Sequence, residues 1–142
     1  MIVTVTLNAA VDRTLTVPNF QLGHRHRASA SLTSAGGKGI NVARALKVLE
    51  APVIATGLAG GRAGDRIIEE LAGEAILNDF VRISDESRTS TAVVDPTAGR
   101  LSEIYEWGPA VRPEELEMLL DKLRYLSQIG RASCRERVCY AV

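Results

Sequence analysis

At 142 residues, with 46% hydrophobic and 24% charged residues, the chain is long enough for one globular domain with its own core. No apolar run reaches membrane-spanning length, and Asn8 and Asp12 interrupt the first apolar stretch where a signal peptide would need continuity, so a cytoplasmic protein with no membrane partner is expected. Seventeen basic residues balance 17 acidic ones, and a formal net charge of zero argues against a nucleic-acid partner.

Ile2–Leu7 is an almost continuous β-branched and apolar run, which predicts a central strand covered on both faces. It runs into Asn8-Ala9-Ala10-Val11-Asp12, a predicted loop at the carboxyl end of the strand, where open α/β sheets gather ligands. A lone Asp in a loop is by itself most often a solvated turn former. Arg13–Phe20 and Arg25–Ser34 read as short half-exposed strands joined through Leu22-Gly23. The alternation His24-Arg25-His26-Arg27 predicts both histidines on one strand face and both arginines on the other. Two histidines so spaced can chelate, but no third ligand stands nearby, and no metal site is expected.

The densest signal is Ser34-Ala35-Gly36-Gly37-Lys38-Gly39-Ile40-Asn41-Val42-Ala43-Arg44-Ala45-Leu46. Three glycines in four positions leave a backbone free to turn and to approach a ligand closely. A helix is predicted directly after them, with Val42, Ala45, Leu46 and Leu49 inward and Asn41, Arg44 and Lys47 outward. Free N–H groups at such a helix start, the helix dipole and the charge of Lys38 all favour an anion, and Asn41 can bond hydroxyls. A sugar phosphate fits that chemistry. No Gly-Lys-Ser/Thr closes the loop, so it is not a P-loop, and it is not G-x-G-x-x-G either. Read alone, Gly36-Gly37 is also compatible with a tight turn before a core helix.

Further along, Glu50-Ala51-Pro52 breaks the helix and Val53–Ala59 predicts a second buried strand ending in Gly60-Gly61. Asp65 is the expected N-cap of a helix Arg66–Ala72 with Ile67, Ile68 and Leu71 inward. Asp79–Ile83, Thr89–Val94 and Leu101–Glu106 are three predicted strands, the last two joined by a hairpin at Asp95-Pro96-Thr97-Ala98-Gly99. Arg88, just ahead of one of them, reads alone as a solvated edge charge. Pro113-Glu114-Glu115 opens a helix whose Leu116, Leu119, Leu120 and Leu123 share a face as far as about Leu126. From Ile129 the pattern ends. Residues 129–142 resemble a translated sequencing adapter and are set apart from the body at 1–128. That tail holds both cysteines, Cys134 and Cys139, with three arginines and one glutamate, so the body carries 14 basic and 16 acidic residues, a net of −2.

Gly-Gly-Lys-Gly-Ile-Asn-Val-Ala-Arg-Ala-Leu at 36–46 closely resembles the first motif of the PfkB group of ribokinase-like sugar kinases. It is most similar to the hexose-phosphate branch, that of 1-phosphofructokinase and tagatose-6-phosphate kinase. Val3–Asp12, Ala55–Gly61 and Glu86-Ser87-Arg88-Thr89 resemble the same branch, and the resemblance runs from residue 1 to about 128. It implies an α/β fold, a parallel sheet with flanking helices and a small β lid, with lid strands within about 13–34 and 79–106, possessed here only in its N-terminal part. It implies further that Asp12 and Asn41 hold sugar hydroxyls, that Lys38 and Arg88 grip the substrate phosphate, and that the backbone of Gly36 and Gly37 lets the sugar approach, with Arg25 or Arg27 as auxiliary contacts. Gly61-Arg62-Ala63-Gly64-Asp65 faintly resembles the family's second motif, Asp-Thr-x-Gly-Ala-Gly-Asp, but lacks its Asp-Thr and comes too early, so Asp65 is read as structural.

The implied reaction is phosphoryl transfer from ATP, accompanied by Mg²⁺, to a ketohexose phosphate, fructose 1-phosphate in the first place and tagatose 6-phosphate as the alternative. A homodimer through the lid is a further implied partner. The catalytic base and most of the nucleotide pocket belong to the family's C-terminal half, so no catalytic, cofactor or metal residue is assigned here. A kinase for an unphosphorylated sugar would not need Lys38 and Arg88 together, and a non-catalytic sugar-phosphate module would need no base. As an N-terminal part, the chain is expected to leave Ile2–Leu7 and Val53–Ala59 each without a neighbour on one side, and to be insoluble or molten when expressed alone.

Overall fold

The computed structural model describes residues 1–132, with side chains as far as residue 128. Eleven elements follow in order: β1 (Ile2–Thr6), β2 (Ala10–Thr16), β3 (Ala30–Gly36), α1 (Lys38–Val48), β4 (Val53–Gly60), α2 (Gly61–Gly73), β5 (Leu77–Asn78), β6 (Val81–Ile83), β7 (Arg88–Asp95), β8 (Arg100–Tyr105) and α3 (Pro113–Ala132). The first sheet is parallel. β4 lies beside β1 with Ile2 opposite Val53 and Thr6 opposite Gly57, and its other edge carries β5 and then β6. The second sheet runs β3-β2-β7-β8, with β2 and β7 parallel in the middle and antiparallel partners outside them.

The alternation of β4 decides what covers each face. Val53, Ala55 and Ala59 meet Ile40 and Ala43 of α1 and Ile67 and Leu71 of α2. Leu58 turns the other way, toward Val81, Ile83 and Leu119, while Val3 and Val5 of β1 meet Leu126. Helices therefore lie on both faces, as a parallel sheet requires. Ile40, Ile67, Leu71 and Leu119 are among the largest fully buried side chains, each contributing about 1.5–3 kcal/mol of transfer energy.

Several sequence expectations are corrected. Asp12 is not in a loop: the chain turns at Leu7-Asn8 and Asp12 is the third residue of β2, between Ser34 and Ser90 in register. β6 is not a lid strand, since Val81–Ile83 runs parallel to β4 in the main sheet. β4 has neighbours on both edges, whereas β1 pairs only with β4 among the described residues. Residues 24–29 form no strand, and His26 turns back so that its Nε2 lies 2.9 Å from the Gln21 carbonyl.

The inward face of α1 is also shifted. Gly39, Ile40 and Ala43 are buried with Leu46 partly so, while Val42, Ala45 and Leu49 are exposed. Arg44, expected on the solvent face, is half-buried between α1 and α2. Its Nε and Nη2 each donate to Glu74 at 2.7 Å, and Nη2 also reaches Glu70 at 3.2 Å.

Asp65 does not cap α2. The helix begins five residues earlier than expected, because Gly61 takes φ +61° and turns β4 straight into it. Glu86, 25 residues further on, supplies the cap: its Oε1 accepts the Ala63 N–H at 2.7 Å. Asp65 instead pairs with Arg82 at the surface, where an ion pair is worth little. At the far end α3 continues beyond Leu126 to Ala132, into the stretch set apart by sequence. The rest of that stretch, with Cys134 and Cys139, lies outside the described residues.

Candidate functional site

β1 delivers the chain to the start of α1 at very close range. A Cβ on Gly37 would stand 2.5 Å from Thr6 Cγ2, and one on Gly39 would meet Thr6 Oγ1 at 2.5 Å and the Val5 carbonyl at 2.6 Å. Only glycine permits this approach, and Gly37 also needs its φ of +127°. Gly37 opens α1 with no side-chain cap, its carbonyl accepting the Asn41 N–H at 2.9 Å, so among the described residues the first N–H groups of the helix have no side-chain acceptor. In front of them is a cavity of about 230 Å³ lined by Thr6, Leu7, Asn8, Gly37, Lys38, Gly39 and Arg88. Two positive side chains and a helix N-terminus thus face one space, which suits a dianion.

Arg88 reaches it from the first position of β7, opposite Ala10. Its placement follows from the two residues before it. Glu86 caps α2, and Ser87 closes a reciprocal pair with Gly60, accepting the Gly60 N–H on its hydroxyl and donating its own N–H to the Gly60 carbonyl, both at 3.0 Å. Arg88 Nε is buried and has no hydrogen-bond partner among the described residues, and the guanidinium stands 5.9 Å from the centre of the Tyr105 ring. A buried guanidinium nitrogen without a partner is costly unless something else satisfies it.

Asp12 faces a second, smaller cavity of about 160 Å³ with Arg13, Ser90, Glu103 and Tyr105. Arg88 links the two, lining the first and standing over a residue of the second. The Asp12 carboxylate occupies the place a side chain on Gly36 would need, since a Cβ there would fall 2.0 Å from Oδ2. Burial pushes the Asp12 carboxyl above its ordinary range, against the pull of Arg88, Arg44 and a hydrogen bond from Ser90. A folded value above the unfolded one of about 3.9 favours the protonated form. Its stabilising contribution is fully present below the unfolded value and is lost as pH rises through the folded one, so ionised Asp12 is a cost at neutral pH. Asp12→Asn is therefore expected to keep or raise Tm at pH 7. Thermal unfolding of the full-length protein and its Asp12→Asn variant checks this, and a clear fall in Tm would contradict it.

Of the six positions named from sequence, Gly37, Lys38 and Arg88 share the first cavity, and Asp12 and Gly36 stand together beside the second. Asn41 lines neither. It is exposed in the first turn of α1 with its Oδ1 3.4 Å from Arg44 Nη1. Arg25 and Arg27 are exposed and line neither cavity. Sequence reasoning missed Thr6, Ser90, Glu103 and Tyr105 as lining residues. Ser90 was within reach, because two residues after Arg88 on a strand is the same face. Tyr105 needed the β7–β8 register, which sets it opposite Ser90.

The sequence family described as pfkB family carbohydrate kinase matches residues 3–139. A 1-phosphofructokinase of Borreliella burgdorferi is 38% identical over 127 residues, covering 89% of this chain and 41% of that protein. A tagatose-6-phosphate kinase of Staphylococcus epidermidis is 38% identical over 117 residues, covering 82% of this chain and 37% of that protein. Among solved structures, one from Thermotoga maritima described as a possible 1-phosphofructokinase superposes with a TM-score of 0.86 at 33% identity, over 99% of this chain and 44% of that one. The chain thus spans about two fifths of the length of the relatives it matches. Its parallel sheet with helices on both faces and its four-stranded second sheet are the ribokinase-like fold with its β lid. With its glycine-rich turn packed against β1 and its lid arginine brought to the same cavity, the chain belongs to the pfkB family of carbohydrate kinases.

Proposed function

We propose that the whole protein transfers a phosphoryl group from ATP to a hydroxyl of a ketohexose phosphate, fructose 1-phosphate giving fructose 1,6-bisphosphate, and that this chain supplies the sugar-phosphate half of the site. The observation that carries the reading is the convergence of Lys38, Arg88 and the open N-terminus of α1 on one cavity. Lys38 and Arg88 hold the phosphate already on the sugar, the Arg88 Nε finding there a partner that the described residues do not supply. The backbone at Gly36 and Gly37 lets the sugar lie close. Asp12, beside Ser90, orients hydroxyls at the neighbouring cavity, and Asn41 adds a contact from the exposed turn of α1. Phosphoryl transfer depends chiefly on such positioning and on neutralising charge.

Tagatose 6-phosphate is the second reading, favoured by a relative of equal identity that carries that name. ATP brings Mg²⁺ as its companion ion. Among the described residues no group of three or more His, Cys, Asp or Glu side chains is placed to hold a metal ion. The base that deprotonates the acceptor hydroxyl is placed in the part of the kinase outside this chain. A homodimer through the lid is supported by β8, where Leu101, Ile104 and Tyr105 are all exposed. No described helix is long and apolar enough to cross a membrane, and a cytoplasmic location belongs to the same proposal.

The test is a phosphoryl-transfer assay on the full-length protein with fructose 1-phosphate, tagatose 6-phosphate and free fructose. Turnover of a phosphorylated ketohexose well above that of fructose supports the reading, and preference for fructose overturns it. Residues 1–142 alone are expected to show no transfer, and ATP-dependent phosphorylation by them would contradict the placement of the base.

A further inference from the structure

We propose that Arg44 and Glu70 are positioning residues for the sugar side of the site: together they hold both backbone polar groups of Ala35 and thereby set where Gly36, Gly37 and Asp12 stand. The proposal rests on the functional reading above for its kinetic consequence, and on geometry for its physical content.

β3 is the outer strand of the second sheet and pairs only with β2 among the described residues. Ala35, opposite Val11, is nevertheless bonded on both of its polar groups by side chains from helices. Its N–H donates to Glu70 Oε1 at 2.7 Å, and its carbonyl accepts from Arg44 Nη1 at 2.6 Å. The two side chains take the role a neighbouring strand would have. They are also braced against each other at 3.2 Å, and Glu74 holds Arg44 through two further bonds at 2.7 Å. A lone surface ion pair would contribute little. Here the guanidinium is half-buried, forked and committed to a backbone carbonyl, the geometry in which such bonds are strong.

The consequence lies one residue further on. The Ala35 carbonyl belongs to the peptide joining Ala35 to Gly36, so Arg44 fixes the plane of that peptide. Gly36 and Gly37 have no side chains with which to resist rotation, and their conformation must be held from outside. Gly36 is where the Asp12 carboxylate rests, and Gly37 opens α1 at the phosphate cavity. A rotation of the Ala35–Gly36 peptide would move both halves of the sugar site, and displacements near 1 Å are enough to lose much of a site's effect.

In the full-length protein, Arg44→Ala and Glu70→Ala are expected to raise KM for the ketohexose phosphate roughly ten- to hundredfold while KM for ATP stays unmoved. Glu70→Gln, which keeps an oxygen for the Ala35 N–H, should stay near the wild type. KM for both substrates rising together, or an unchanged sugar KM in the alanine variants despite a fall in Tm, would mean that these residues merely tie α1 to α2. Amide hydrogen exchange supplies a readout that needs no substrate and tolerates milder changes. Ala35, Gly36 and Gly37 should exchange faster in Glu70→Ala and in Arg44→Lys, whose single ammonium cannot serve carbonyl and carboxylates together, but not in Glu70→Gln. Unchanged exchange in the first two overturns the proposal. A wild-type protein that turns over no ketohexose phosphate would sink the functional reading instead, and the exchange data would then decide this one alone.

Discussion

Replacing Arg88 with alanine is expected to weaken binding of fructose 1-phosphate by about 1.5–3 kcal/mol, the worth of a charge-assisted bond. The size follows from how Arg88 is held. β7 begins with it, the Glu86–Ser87 pair anchors the residues just before it to α2 and Gly60, and its guanidinium rests over Tyr105 with Nε buried and unpartnered. A charge so prepared loses little entropy when a phosphate arrives. The same charge draws the Asp12 carboxyl downward. Arg88→Ala should therefore also raise the Asp12 pKa further, which carboxyl-carbon NMR would follow. An Arg88→Ala enzyme with the wild-type KM for the sugar phosphate would remove Arg88 from the site.

Gly57→Ala should be the most destabilising of the single substitutions considered, costing on the order of 3 kcal/mol or more from backbone strain and overpacking together. Gly57 holds φ +148° opposite Thr6 in the β1–β4 ladder, and a Cβ there would lie 1.9 Å from the Thr6 carbonyl oxygen and 2.7 Å from its carbon. Those are backbone atoms of a buried strand, so they cannot swing aside as a side chain would. The only relief is to part β1 from β4, which also moves Thr6 away from the start of α1. Gly99→Ala is the control. It too has a positive φ, +60°, but open space around it, and should cost only about 1–2 kcal/mol. Urea unfolding of both variants of the full-length protein measures the difference, and equal midpoints would contradict the register assigned to β1 and β4.

How far the sequence was legible depended on whether a signal was local. β1, β4 and α1 were readable because apolar runs and a glycine punctuation mark lie within a few residues of one another. The start of α2 was not, because its cap is Glu86, remote in sequence, and the nearby Asp65 imitated one. β6 resembled its neighbours Thr89–Val94 and Leu101–Glu106 in composition, and only pairing to Leu58–Gly60 assigns it to the main sheet. Of the proposed site, Lys38 is named from the loop, and Asp12 and Arg88 from the resemblance. Arg44 was misjudged because periodicity places a residue on a helix face without saying whether another helix lies there. Its partners, Glu70 of α2 and Glu74 just past the end of that helix, are charged residues that a period count assigns to solvent.

The cavity between the start of α1 and Arg88 is the proposed binding site for the phosphate of a phosphorylated ketohexose. Calorimetric titration of fructose 1-phosphate and of free fructose into the full-length protein tests it most directly. The two cations facing that cavity predict that the phosphorylated sugar binds at least about tenfold more tightly, and that most of this margin disappears in Arg88→Ala. Equal affinity for the two sugars, or a margin untouched by Arg88→Ala, would contradict it.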